Sequence, residues 1–403
     1  MDLKSGYPFW AVRNGLMQAY PALAQDLQCE VLVLGGGITG ALIADHLAAH
    51  GHEVAVVEQR DIGWGSTAAS TALLQYEIDT PLRDLARQYG LDAAVLAYRA
   101  CAQAIDDLGE LAGQVRGVDF QTARSLYYAS KRGDLAELME EFELRQQHGF
   151  AVDWYDAAGV QAEYGFSAPG AILSHHAARM DPYRMTYRLL ARLSKQGGQV
   201  YDRTTIAAID AGPRRVTALT SDGIRIQCRQ LIIAAGYASQ HWLRQRVARN
   251  RSSYAFVTDP LSAEALGAAR NTLLWETARP YLYLRSTADQ RLLVGGEDDA
   301  VDIAARRDAQ VDRKARKLAG KASKLLGGIP VEPAFAWAGT FAETADGLPF
   351  FGAHRQWGPR VQFAMAYGGN GITYSMIGAG LLRAAIEGRR HPLAPLFSFQ
   401  RLD

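Results

Sequence analysis

The chain has 403 residues, 48% of them hydrophobic, which is enough for two domains with a sizeable core. Lys and Arg total 43 against 42 Asp and Glu, a net charge of +1 that excludes the basic balance of a protein built to coat nucleic acid. The three cysteines (Cys29, Cys101 and Cys228) lie far apart, which excludes a disulfide-rich scaffold and a C-x-x-C pair and fits a reducing compartment.

The amino-terminal stretch MDLKSGYPFWAVRNGL has no basic segment followed by an apolar one, and no apolar run reaches membrane-spanning length. A cytoplasmic protein with no membrane span and no nucleic-acid partner is expected. Tyr7, Phe9 and Trp10 are expected to pack as an arm on the folded body.

Cys29 to Arg60 organises the rest. Glu30–Leu34 reads as a buried parallel strand running into Gly35, Gly37 and Gly40, which fit G-x-G-x-x-G. The first glycine permits the tight turn, the second lets a pyrophosphate approach, and the third lets the helix lie close to the sheet. That helix is expected from Ile38 to His50, with small residues on the face that carries Gly40, Ala44 and Leu47. A second strand, Glu53–Val57, leads to Glu58, whose carboxylate suits a ribose 2′,3′-diol and repels a 2′-phosphate. The pattern predicts an adenine dinucleotide other than NADP.

The loop DIGWGSTAASTALLQYEID follows, dense in small and hydroxyl residues suited to a phosphate. Pro81–Gln147 reads as helical, with a strand around Ser125–Ser130. Strands are expected at Gly149–Tyr155 and Gly170–His176, and a helix after Asp181-Pro182. His175 and His176 are adjacent and so point to opposite strand faces, which makes a shared metal ligand set unfavourable. Gln199–Ile206 is expected as one strand ending near the adenine. A hairpin is expected from Val216 to Ile226, and a separate buried strand at Arg229–Gly236.

Further strands are expected at Tyr254–Pro260, Leu273–Glu276 and within RPYLYLRSTADQRLLVGGEDD. Tyr281, Tyr283 and Arg285 alternate, share one face, and are candidate substrate contacts. Arg306–Leu326 reads as a basic amphipathic helix facing solvent. Finally, Gly368, Gly369, Asn370 and Gly371 form a second glycine-rich turn into a helix from Ile372 to about Glu387. A helix N-terminus carries partial positive charge, suited to the anionic side of a reduced flavin.

With these motifs in hand (the opening glycines, GSTAAS, the AAG strand end, VGGEDD, ADGLPFFG and GGNGI), the chain resembles the FAD-dependent oxidoreductases of the D-amino-acid oxidase superfamily. The resemblance runs from about Tyr7 to Gly388 and includes the glycine oxidase, sarcosine oxidase and γ-glutamylputrescine oxidase branches. It implies an α/β plus α+β fold with a Rossmann-like dinucleotide-binding domain and an antiparallel-sheet substrate domain. The expected division is 1–80, 150–240 and 333–390 for the FAD-binding domain, 81–149 and 241–332 for the substrate domain, and 391–403 as a tail. The implied chemistry is oxidation of a C–N bond in an amine or amino acid, with oxygen or a quinone as electron acceptor.

The resemblance also distributes cofactor contacts along the motifs. Gly35, Gly37, Ile38, Thr39 and Gly40 belong to the opening turn, and Glu58, Gln59 and Arg60 to the end of the second strand. Gly65, Ser66, Thr67, Ser70, Thr71 and Leu73 belong to the following loop. Thr205, Ile206, Ala235, Gly236 and Gly339 come from later strands, and Gly368, Gly369, Asn370, Gly371, Ile372 and Thr373 from the closing turn.

Three departures from the family pattern stand out. Phe341 occupies the position of a carboxylate-clamping arginine, which disfavours ordinary α-amino acids unless Arg285 takes over. Leu293 occupies the position of an oxygen-activating lysine. The stretches that carry covalent cysteine or histidine in relatives contain neither here, so FAD is expected to be noncovalent. The rival readings are an FAD dehydrogenase of a hydroxy acid or polyol phosphate passing electrons to quinone, and a flavin-bearing binding protein without catalysis.

Overall fold

The structure, a computed structural model, describes residues 4–300 and 302–402. Its strands form two sheets. The smaller has eight strands and is built around Leu27–Leu34, which pairs in parallel with Val54–Val57 on one side and Arg225–Ile233 on the other. Gln199–Tyr201 and Val361–Met365 extend it in parallel, and Phe350–Ala353 closes one end antiparallel. Val31, Leu32 and Val33 are fully buried, as are all four residues of Val54–Val57, because the parallel strands are covered on both faces. The helix Ile38–Ala49 covers one face and packs against the helices Pro182–Lys195 and Gly371–Ile386. Asp181 caps Pro182–Lys195, its carboxylate accepting from the Arg184 N–H at 2.9 Å.

The larger sheet has ten strands. Its order runs Lys4–Gly6, Phe335–Glu343, Arg249–Pro260, Arg291–Asp299, Tyr283–Ser286, Thr272–Glu276, Gln121–Tyr128, Gly170–Arg179 and Leu73–Gln75, with Val152–Asp156 also pairing to Gly170–Arg179. All its pairings are antiparallel except Thr272–Glu276 with Gln121–Tyr128.

Several boundaries differ from the sequence expectation. Val152–Asp156 and Gly170–Arg179 belong to the larger sheet, as do Leu73–Gln75 and Phe335–Glu343, so the chain crosses between sheets more often than the three-segment division implies. Gln199–Tyr201 and Ile206–Ala211 are separate strands, because the chain turns between them to run beside Glu58. The return arm of the hairpin and the RQLII segment are one continuous strand, in register with the first from Ile226↔Leu27 to Ile233↔Leu34. The carboxy-terminal segment is packed down: Phe399 stacks on Phe350 with ring centroids 5.0 Å apart.

The amino-terminal arm folds as expected for Phe9 and Trp10, both buried, whereas Tyr7 is 73% exposed. The basic stretch splits into Ala304–Asp308 and Val311–Leu325, and the longer helix buries Val311, Ala315 and Leu318 against the large sheet. Among the described residues no helix is long and apolar enough to cross a membrane.

Candidate active site

A cavity of about 540 Å³ lies between the two sheets, lined by residues from nearly every motif described above. At one end the first strand stops at Gly35, whose φ of +123° and closeness to Ala234 leave no room for a side chain; a Cβ there would sit 2.3 Å from the Ala234 carbonyl oxygen. The next turn is set by Glu58. Its carboxylate accepts from the Gly36 N–H at 2.8 Å and from the Arg60 N–H at 2.9 Å. Burial pushes its carboxyl above the usual range, and those two N–H groups oppose the shift. Thr204 donates its N–H to the Glu58 carbonyl at 2.8 Å, which brings Thr205 and Ile206 to the cavity wall beside Gln59 and Arg60.

The helix after the turn starts at Ile38 on Gly37, with no side-chain cap from Gly37 itself. The Thr67 hydroxyl takes the Ile38 N–H at 2.9 Å, and Gly37 and Thr39 line the cavity. The four-residue helix Ser66–Ala69 that supplies Thr67 is tied down through three successive carbonyls. Trp337 Nε1 donates to Ala69 O at 2.9 Å, Trp10 Nε1 to Ser70 O at 2.7 Å, and Arg285 Nε to Thr71 O at 2.6 Å. Gly65, Ser66, Ser70, Thr71 and Leu73 all face the cavity.

The closing turn meets the opening one here. Gly368 donates its N–H to Ala342 O at 2.8 Å, and Gly369 donates to Asp79 Oδ2 at 2.6 Å. Asn370 Nδ2 donates to the Gln75 and Glu77 carbonyls at 3.1 and 2.7 Å, so the segment after Leu73–Gln75 clasps the turn. Gly371 then opens its helix toward the cavity, next to Ala235, Gly236 and Ile372.

These residues fit FAD on observations of their own. The Ser66 hydroxyl is buried at the cavity without a hydrogen-bond partner, a donor awaiting an acceptor. Two helix N-termini converge on one cavity, with Glu58 beyond one of them, which is the donor and acceptor arrangement that a pyrophosphate and a ribose require.

Gly40 and Thr373, both expected as cofactor contacts, do not line the cavity. Gly40 lies against the backbone of Gly35, where a Cβ would approach the Gly35 carbonyl oxygen to 1.9 Å, so its work is helix-to-strand packing. Thr373 is buried within its helix.

The other end of the cavity is aromatic and acidic. Tyr281, Tyr283 and Phe341 line it, joined by Trp275, Tyr237, Asp79 and Asp298, which sequence reading did not single out. Tyr281 precedes its strand, and its ring centroid lies 5.5 Å from that of Tyr283. Arg285 is a correction. It is 1% exposed and absent from the cavity wall, its guanidinium donating to the carbonyls of Thr71, Ser286 and Met180 at 2.6, 3.0 and 3.1 Å. Burial and the neighbouring Arg179 pull its pKa down to about 9. Leu293, its cross-strand partner, is fully buried and also off the wall. Among the described residues lining the cavity, Arg60 at the Glu58 end is the permanent cation, and none is a cysteine.

The model of the family "FAD dependent oxidoreductase" matches residues 30–385. Gamma-glutamylputrescine oxidoreductase of Escherichia coli (strain K12) is 23% identical, over 94% of this chain and 88% of its own. Glycine oxidase of Bacillus licheniformis is 27% identical, over 85% of this chain and 89% of its own. The crystal structure of glycine oxidase from Geobacillus kaustophilus matches with a TM-score of 0.75 at 19% identity, covering 92% of this chain and 98% of that one, a likeness of fold.

Proposed function

The chain belongs to the FAD dependent oxidoreductase family, and from that premise we propose that it oxidises the C–N bond of an amine whose nitrogen has no carboxylate beside it. Phe341 on the cavity wall carries this reading, together with the commitment of Arg285 to three backbone carbonyls elsewhere. A phenyl ring gives a buried carboxylate no partner, and an unpaired buried charge costs several kcal/mol. Asp79 and Asp298 disfavour an acidic substrate further, and with it the hydroxy-acid and polyol-phosphate reading.

Glu58 would hold the adenosine ribose, the helix start at Gly37 and Ile38 the pyrophosphate, and the turn Gly368–Gly371 the pyrimidine side of the flavin. The chemistry that bound FAD supplies is acceptance of two electrons from a C–H next to the amine nitrogen. The chain's own part is positioning: Tyr281, Tyr283, Trp275 and Phe341 shape an apolar slot that orients the amine and displaces water.

Anaerobic bleaching of the yellow protein with a panel of primary and secondary amines, α-amino acids and hydroxy acids tests the reading. Amines without an adjacent carboxylate should reduce the flavin faster than glycine or D-alanine. Preferential bleaching by hydroxy acids would overturn it.

A further inference from the structure

The strand Arg291–Asp299 ends in three consecutive acids, Glu297, Asp298 and Asp299. An unbroken strand would send the outer two to one face and the middle one to the other. Here the register against Arg249–Pro260 shifts between Ser252 and Tyr254, and Gly296 and Glu297 adopt φ of +136° and +56°. A left-handed Glu is strained backbone, and the helix Val311–Leu325 holds it there. Lys317 and Lys321 lie 2.7 and 2.6 Å from the Glu297 carboxylate. Asp299 is equally committed, 2.8 Å from Lys314 Nζ and accepting from the Tyr254 hydroxyl at 2.9 Å.

Asp298 is the exception. It lines the cavity, and its Oδ1 is buried there with no hydrogen-bond partner. The rings of Tyr283 and Trp275 line the same end beside Tyr281, whose face already carries the Arg279 guanidinium 4.8 Å from its centroid, and cations bind well over such faces. Gly295 makes space for Tyr283; a Cβ there would fall 2.3 Å from its ring.

We propose that Asp298 is the counter-ion for a second cationic group on the substrate, so that the cavity selects diamines over monoamines. This rests on the amine reading above and deepens it. The groups that act on Asp298 pull in both directions, and burial outweighs the rest. Burial pushes its carboxyl up to about 6, Glu343 and Asp79 push the same way, and the Ser253 hydroxyl and Lys314 oppose. A carboxylate already stripped of much of its water meets an incoming ammonium with little further desolvation.

The test is anaerobic titration calorimetry of the FAD-loaded protein with 1,4-diaminobutane and with butylamine, for the wild type, Asp298→Asn and Asp298→Glu. The wild type should bind the diamine about ten- to hundredfold more tightly than the monoamine, the size of one charge-assisted contact. In Asp298→Asn that ratio should collapse to within about twofold, and Asp298→Glu should retain part of it. The wild-type ratio should also shrink as pH falls through about 6. If both amines bind with the same ratio in the wild type and Asp298→Asn, the counter-ion role is overturned and the amine reading stands. If neither amine binds and hydroxy acids bleach the flavin, the amine reading fails and takes this proposal with it.

Discussion

The hydroxyls of Thr39 and Ser375 lie 2.8 Å apart. Since the Ser375 hydroxyl donates to the Gly371 carbonyl at 2.6 Å, Thr39 is the donor between them. This contact joins the two helices that open on the cavity near their N-termini, so the two glycine-rich turns are fixed relative to each other by side chains 336 positions apart.

Purified protein should release intact FAD into the supernatant on acid or heat denaturation. None of the three cysteines lines the cavity, and His241 is the one histidine among the described residues that does. Flavin absorbance that stays with the precipitated polypeptide would point to attachment at His241 and refute the noncovalent expectation.

Glu58→Gln should lower FAD affinity about ten- to hundredfold. Charge-assisted hydrogen bonds are worth about 1.5–3 kcal/mol, and the amide loses charge at both oxygens that the Gly36 and Arg60 N–H groups fix in place. Titration of apo-protein with FAD measures it. An unchanged dissociation constant would separate Glu58 from the ribose.

Phe341→Arg should shift the ratio of kcat/KM for glycine to that for butylamine toward the amino acid by about tenfold or more, the scale of one buried ion pair. Efficient turnover of glycine by the wild type would contradict the assignment.

Arg285→Met should destabilise the protein by about 2–4 kcal/mol, because buried carbonyls of Thr71, Ser286 and Met180 lose their donor. FAD affinity should fall with it, since Thr71 belongs to the loop at the cavity. Thermal unfolding and FAD titration check both. A changed preference between amines and amino acids with unchanged stability would return Arg285 to the substrate.

Asp298→Asn should stabilise the apo-protein at neutral pH. A carboxyl raised from 3.8 to about 6 binds more protons folded than unfolded between those values, so wild-type stability falls as pH rises through that window. Removing the charge should therefore recover roughly 1–3 kcal/mol above it and almost nothing near its lower end. Melting temperatures compared at about pH 7.5 and about pH 4 would settle the matter, and an equal or lower value for the variant at both would contradict it.

The Glu58 end of the cavity was legible because each of its devices is local. Glycines between a strand and a helix, and an acid at the next strand end, constrain only neighbouring backbone. The aromatic end was not. Alternation groups Tyr281, Tyr283 and Arg285 on one face, but Tyr281 precedes the strand, and two residues along a strand is about 6.6 Å, enough to move Arg285 past the cavity edge and under the backbone of Thr71 and Met180. Asp298 was hidden because the bulge at Gly296 and Glu297 breaks the alternation on which such a reading depends. Likewise, Gly170–Arg179 was recognisable as a strand, but its sheet depends on partners distant in sequence.

The order of strands in the smaller sheet also bears on how the protein acquires its cofactor during synthesis. Leu27–Leu34 and Val54–Val57 emerge early, but Arg225–Ile233 must arrive before the glycine turn gains the backbone wall at Ala234, and Val361–Met365 before the closing turn exists. The chain through Gly371 must therefore leave the ribosome before both glycine turns are in place. Binding that needs both turns follows their synthesis, and the partial positive charge of each helix end is available to it only then.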